Sequence, residues 1–411
     1  MTASQKWRPL SLSIGLLYVL AAVAALIHSK DTLHAPDEFE YLSIGQNLVR
    51  SGIFSIDGVT PTAWRSPGFP AIIAVLWWIW PSVYLIKIVG LSCWLATGFL
   101  VGRLAYFFRG LAAGYLAALL YLFYAYELYA ATTLYPQTVA GLLVALSVSA
   151  VIRPVQVMLS GQILLLAVTV LEIMVIPNCI VVAAVVYLYA IVRGKIKFRA
   201  AFAAGAVTLI VIIGWCARNE QTIGGFTFTT TMGITLYDGN TDVVTGAGDE
   251  PAANSAIRYQ TRGLSEIGVD KFFRARAVEW IKSHPWLAFT RSLDKFVNWF
   301  AYKNEYDTRI EVPLIALLTL AMAFVFYPVL VGAFVATASG ENRLRDFAIL
   351  SCIIYLLGAL TYVLFLTRIR YRLPFDPLLF PAAACSWLDL ATGRLRIVKA
   401  SLFRERRAAL D

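Results

Sequence analysis

The sequence predicts an all-α polytopic membrane protein, and three observations carry that prediction. Of its residues 59% are hydrophobic and only 15% charged, with a mean hydropathy of +0.70. A soluble domain of 411 residues cannot hide so much apolar surface, because buried volume grows too slowly with chain size. Apolar runs also recur along the whole chain, close to the length needed to cross a hydrocarbon layer of ~30 Å. The basic residues, finally, cluster between particular runs. The net charge of +10 is therefore explained by sidedness in a membrane, and no nucleic-acid partner is implied.

The runs are Leu10–Ile27, Ser82–Phe107, Leu111–Leu128, Tyr135–Ile152, Met158–Ile176, Cys179–Val192, Ala200–Cys216, Val312–Val335, Phe347–Leu366 and Phe375–Leu390. They give about ten transmembrane helices, the shortest needing a thin or tilted crossing. The first carries no small-residue cleavage motif, so an uncleaved first span is expected. Arg193, Lys195, Lys197 and Arg199 place their loop in the cytoplasm, as do Arg343 with Arg345 and a basic tail at 392–411. Threading back puts Arg109 and Arg153 inside with Lys6 and Arg8. It puts the Asp31–Arg65 loop, the Arg218–Asp307 segment and Thr367–Arg372 outside.

One apolar stretch, Pro67–Trp80, breaks this count if it crosses completely. It is short, opens with two prolines and ends before Pro81, so it reads as a helix that dips into the outer leaflet. An ordinary second span is the alternative, at the cost of moving the basic tail outside. The chain then divides into a transmembrane module at 1–217, whose first outer loop is 28–81, and a small extracytoplasmic lobe at 218–307. The last transmembrane helices follow at 308–391, then the tail. Within the lobe, threonine alternation and glycine breaks in Gly224–Asn240 predict a short strand and turn. Asp270–Ser283 and Trp286–Phe300 read as helices. Phe289, Leu293, Phe296, Val297 and Phe300 form an apolar stripe on the second, for the membrane face or the lobe.

The first outer loop opens "DTLHAPDEFEY", with Asp31, Asp37, Glu38 and Glu40 crowded at the membrane boundary. Pro36 suits a first helical position and acidic residues favour a first turn, which accounts for part of this. The remainder comes from arginine. Arg65 lies in the same loop, and Arg368, Arg370 and Arg372 emerge on the same side, where outward arginines need a local anion. Carboxylates facing clustered guanidinium groups at a water–lipid boundary suit one chemistry well. Transfer of a sugar from a lipid phosphate needs cations on the leaving phosphate, for which the planar fork of Arg is preferred. It also needs a carboxylate to take the acceptor's proton, and one base suffices for inversion.

"PDEFEYLSIGQNL" with "TAWRSPGFP" resembles the first outer loop of the GT-C glycosyltransferases, in the branch of protein O-mannosyltransferases and the lipid A aminoarabinose transferase. The likeness continues through "GWCARNEQTIGGF", "LYDGN", "AVEWIKSHPWLAF" and "RYRLPFDPLL", in order across most of the chain. The resemblance implies an inverting enzyme on the extracytoplasmic face of a bacterial inner membrane, with a polyprenyl-phosphate sugar donor. It implies Asp37 as catalytic base, and Arg370 and Arg372 as donor-phosphate ligands. Where the family commonly has an acidic residue after proline at the outer end of the fourth span, this chain has Gln137, which can hydrogen-bond a sugar but cannot act as a base.

The site expected from these readings has Asp37 and Glu38 as catalytic residues, with Arg65, Arg370, Tyr371 and Arg372 on the donor phosphate. Tyr41, Gln137, Arg218 and Asn240 would contact substrate, Arg218 having bracing of the lobe as an equal alternative. The acceptor is a glycan, lipid or protein hydroxyl or amine. No cofactor is otherwise implied; His28, His34 and Asp37 leave a divalent metal open, though their spacing matches no zinc signature. Glu127 among Tyr121, Tyr124, Tyr126 and Tyr129 reads as part of an interfacial aromatic belt or, alternatively, a sugar-facing patch. Glu172 is an intramembrane carboxyl without an assigned role. Lys87 reads as snorkelling to an interface. Five cysteines without a CxxC pair indicate neither disulfides nor zinc. A lipid flippase, or a polymerase using polyprenyl-diphosphate donors, would share many of these features.

Overall fold

The computed structural model describes residues 3–153, 156–242, 257–303 and 313–394. Among these the chain is helical, with no strand. In order, the helices are α1 (Ala3–Ser29), α2 (Pro36–Ser51), α3 (Gly68–Ile79), α4 (Val83–Arg109), α5 (Leu111–Leu122), α6 (Ala125–Ala131), α7 (Gln137–Ile152), α8 (Leu159–Val175) and α9 (Ile180–Val192). There follow α10 (Phe198–Ile223), α11 (Met232–Asp238), α12 (Glu266–Ser283), α13 (Pro285–Trp299), α14 (Pro313–Ala336), α15 (Asn342–Val363), α16 (Ile369–Arg372) and α17 (Leu379–Ala391). The expected basic tail lies outside the described residues beyond Arg394, as do the side chains of Lys6 and Arg8.

This is an integral membrane protein. Among the described residues five helices are long and apolar enough to span: Leu10–Ser29, Val83–Arg109, Phe198–Ile223, Thr319–Ala336 and Asn342–Val363. The run expected at Leu111–Leu128 is broken by 62° between α5 and α6. Tyr124 leaves helical geometry there, and the freed N–H of Ala125 donates to Met322 Sδ at 3.3 Å.

The remaining apolar runs form shorter helices, and their shortness shapes the site. At 1.5 Å per residue, α3 reaches only about 18 Å and α9 about 20 Å, below the ~30 Å of a full crossing. The turn Pro177–Cys179 joins α8 to α9 and packs against α15. Above it, α3 starts directly on the end of α8. Gly68 is required by that approach, since a Cβ would fall 2.6 Å from the carbonyl carbon of Met174. Ser66 Oγ adds a bond to the Val175 carbonyl at 3.3 Å.

Ion pairs tie each end of the bundle. At one end Arg109 holds Asp389 (2.7 Å) and Glu341, and Arg193 holds Asp346. The opposite end gathers the first loop, the lobe and residues 367–372. Lys87 belongs to this second end and does not snorkel. It is fully buried, and its ammonium donates to the carbonyls of Ser29, Lys30 and Thr32 at 2.9–3.1 Å. Its three N–H groups thus hold the last carbonyl of α1 and two just beyond it, fixing where the first loop leaves the bundle.

The lobe differs from the sequence expectation in one respect. Met232–Asp238 is a helix, not a strand, because Gly233 packs α11 flush on α12 and its N–H donates to Asp270 Oδ1 at 2.6 Å. That tertiary contact overrides the threonine alternation. Gly239, where a side chain would collide with the Phe365 carbonyl, seats the end of α11 against the segment after α15. On α13 the apolar stripe divides: Phe289, Leu293 and Val297 are exposed, while Phe296 and Phe300 pack on the core.

Candidate active site at the bundle rim

The site is built on the first turn of α2. Pro36 takes the first helical position, and Glu38 turns inward where it is almost completely buried. Its Oε1 accepts the N–H groups of His34 and Ala35, and its Oε2 accepts that of Leu134 at 3.0 Å. Glu38 is therefore a brace between α2 and the α6–α7 connection. This corrects the expectation that it is catalytic: both carboxylate oxygens are held by backbone.

Asp37, one residue earlier, points 100° away into the rim. Its Oδ1 accepts from Arg65 Nη2 at 2.6 Å and its Oδ2 from Arg370 Nη1 at 2.8 Å. Arg65 also donates through Nε to Glu40 Oε2 at 2.7 Å. Glu40 is three residues from Asp37 and shares its helix face. The result is an alternating row, Glu40–Arg65–Asp37–Arg370, whose side chains keep about a fifth to a quarter of their surface exposed. Burial pushes the Asp37 carboxyl up, but Arg370 and Arg65 together outweigh it and hold the carboxyl below its usual range. Asp37 is thus ionised throughout the neutral range. Its share of stability is present above the unfolded carboxylate pKa of about 3.9 and is lost as pH falls through the lower folded value.

Aromatic rings hold the two arginines from behind. Arg65 lies 5.1 Å over the Tyr41 ring, which in turn meets Phe69 edge-on. Arg370 sits 5.2 Å from both Tyr135 and Tyr371, and Tyr371 stacks on Tyr362 at 4.9 Å. Arg370 Nε is buried without a partner, so one donor of its fork is unused. Glu40, Tyr135 and Tyr362 were not singled out as site residues from the sequence. The i, i+3 spacing could have found Glu40; the two tyrosines are brought in only by the fold.

Other expected residues take different places. Arg372 is fully buried, which corrects its reading as a phosphate ligand. Its guanidinium lies 3.8 Å over the Phe326 ring and donates to the carbonyls of Trp299 and Ala301, to Tyr124 Oη at 3.1 Å and to Asp376 at 3.3 Å. It caps the end of α13 and rivets the lobe to the bundle. Tyr124 and Tyr121 are buried with it, Tyr124 bonding Asp376 at 2.8 Å and Tyr121 facing Glu127, so neither belongs to an aromatic belt. Arg218 braces the first loop through the Thr62 carbonyl at 2.8 Å and stacks on Trp215 and Phe54. Asn240 is buried and bonds the Leu236 and Leu364 carbonyls and Lys295. Gln137 opens α7 beside Tyr135. Glu172 is buried with both carboxyl oxygens unpartnered. Among the described residues no three His, Cys, Asp or Glu side chains gather as metal ligands.

Two residues beyond Arg65, an apolar groove of about 660 Å³ begins at Pro67 and runs between α3, α8 and α10. Ala71, Val75, Leu171, Met174 and Val211 line it, with Arg218 at its edge. The rim therefore offers a fixed carboxylate between two guanidinium groups, one with an unused donor. Such a row can hold an anion and accept a proton side by side.

No protein-family model matches the sequence, and no curated protein does. Among solved structures, the fold resembles ArnT from Cupriavidus metallidurans bound to undecaprenyl phosphate, with a TM-score of 0.54 and 12% identity. The match covers 92% of this chain and 62% of that one, so this chain spans less than two thirds of its neighbour's length. The apo state of the same protein matches at a TM-score of 0.43 and 14% identity, over 93% and 78% of the two chains. The likeness is one of fold: that of a polytopic helical membrane protein.

Proposed function

We propose that this protein is an inverting membrane glycosyltransferase that moves a sugar from a polyprenyl-phosphate donor to a hydroxyl or amine acceptor. The reading places it in a bacterial inner membrane with its site on the extracytoplasmic face. The observation that carries it is the convergence of Asp37 and Arg370, 333 residues apart in sequence, at 2.8 Å. The GT-C fold and the undecaprenyl phosphate found on the structural neighbour support the donor class.

In this reading Arg65 and Arg370 hold the donor phosphate, Arg370 through its unused Nε, and the prenyl chain lies in the groove that starts at Pro67. As phosphate engages the guanidinium groups, their hold on Asp37 weakens and its basicity rises. Asp37 takes the acceptor's proton as the acceptor atom bonds the anomeric carbon from the face opposite the phosphate. The carbon–oxygen bond to phosphate breaks, and its electron pair leaves on the phosphate, where the arginines stabilise the added charge. A single displacement inverts the anomeric centre.

The test is the purified protein in vesicles carrying a polyprenyl-phosphate sugar labelled in the sugar. Release of polyprenyl phosphate with transfer of label to an acceptor, and inversion at the anomeric carbon of the transferred sugar, is expected. Movement of intact labelled lipid across the bilayer, or consumption of diphosphate-linked donors alone, would contradict the reading.

A further inference from the structure

At the end of the bundle away from the Asp37 rim, α4 and the close of α7 face each other across a cavity of about 210 Å³. Arg103 of α4 and Arg153, just past α7, line it together, with Leu100, Phe107 and Ile152 as apolar wall. The Ser149 hydroxyl, also at the cavity, is bonded back to the Ala145 carbonyl at 2.6 Å. Other arginines at this end are matched: Arg109 holds Asp389 and Glu341, and Arg193 holds Asp346. Among the described residues no carboxylate lines this cavity, and none pairs with Arg103 or Arg153. Arg103 stands six residues before Arg109, about 9 Å along the helix axis, so it is sunk below the ion-pair layer toward hydrocarbon. A guanidinium at that depth calls for an anion.

Arg103 also lines an apolar groove of about 500 Å³ between α1, α4 and α5. Hydroxyls in this groove are used internally: Tyr18 donates to the Ala118 carbonyl at 2.7 Å, and Ser11 meets Tyr115 at 2.5 Å. A charged hollow and a hydrocarbon trough thus share one arginine. Two unmatched guanidinium groups grip phosphate oxygens in pairs, and the trough accepts a chain attached to that phosphate. We infer that Arg103 and Arg153 hold the headgroup phosphate of an anionic phospholipid in the leaflet opposite the rim, with an acyl chain in the groove. A soluble anion would leave the trough empty, and a zwitterionic lipid would bring its own cation to a site that already holds two. The site is separate from the Asp37 row and stands independently of the glycosyl-transfer reading.

The experiment measures retention of phosphatidylglycerol and of phosphatidylcholine by the full-length protein in detergent, read by native mass spectrometry. Wild type should prefer phosphatidylglycerol. Arg103→Gln and Arg153→Gln should each cut that preference about fivefold, the worth of one basic residue near an anionic lipid. Arg345→Gln removes a charge from the same end, where Arg345 bonds Asn342, and should leave the preference unchanged. Glycerol phosphate, the same anion without acyl chains, should not displace the bound lipid. Equal retention of the two lipids by wild type, or an unchanged preference in both cavity variants, overturns the inference. So does an equal loss in Arg345→Gln, which would mark a diffuse surface charge, or displacement by glycerol phosphate, which would mark a soluble anion's site.

Discussion

Arg370 and Arg372 stand two residues apart and have opposite surroundings. Arg370 reaches the rim, shares Asp37 with Arg65 and keeps a donor unused. Arg372 turns the other way, is sealed from solvent, and donates to two carbonyls, a tyrosine and Asp376. The first set of charges is open, and a ligand can compete for it. The second is closed, and it joins the lobe to the bundle. Charge alone does not tell a binding site from a rivet; the difference lies in whether the donors are already filled.

The contrast predicts different failures. Arg372→Met should leave Asp376 and the end of α13 uncompensated in the interior, a loss of about 3–5 kcal/mol as for other broken buried pairs, seen as a marked fall in Tm. Arg370→Met should change stability by under about 1 kcal/mol, because its pair is partly solvated. It should instead weaken polyprenyl-phosphate binding by roughly tenfold to a hundredfold, the worth of a charged hydrogen bond. Reversal of these two outcomes would invert the assignment.

A further contrast concerns the lobe. Burial, with Arg291 adding to it, lowers the Lys295 ammonium to about 7. Between that value and the unfolded lysine pKa of about 10.4, the unfolded chain binds more protons, so stability should rise with pH across this window. The slope is at most about 1.4 kcal/mol per pH unit. Lys295→Met should flatten it in unfolding measurements from pH 6 to pH 10.

Much of this was legible in the residues. Arg65, Arg370 and the acidic turn after Pro36 were grouped from the residues alone, and the structure pairs both arginines with Asp37. Arg372 was misread because residues at i and i+2 of a helical turn face opposite ways, and Ile369–Arg372 is such a turn. Glu38 was misread for a related reason, since neighbours on a helix diverge by 100° and only one could face the rim. The bend after Leu122 and the burial of Lys87 were not readable, because each depends on partners from distant segments: Met322 in one case, the end of α1 in the other. The strand expected within Gly224–Asn240 gave way to distant partners too, Gly233 packing on α12 and Thr230 bonding Ala63 and Glu266.

The central claim is that Asp37 accepts the acceptor's proton while Arg65 and Arg370 hold the leaving phosphate. Asp37→Asn keeps the shape and removes the charge, so the direct measurement is donor binding and sugar transfer on the same purified variant. The account predicts retained polyprenyl-phosphate binding with transfer lowered at least a hundredfold, the lower range for loss of a general base. Transfer at the wild-type rate by Asp37→Asn would contradict it.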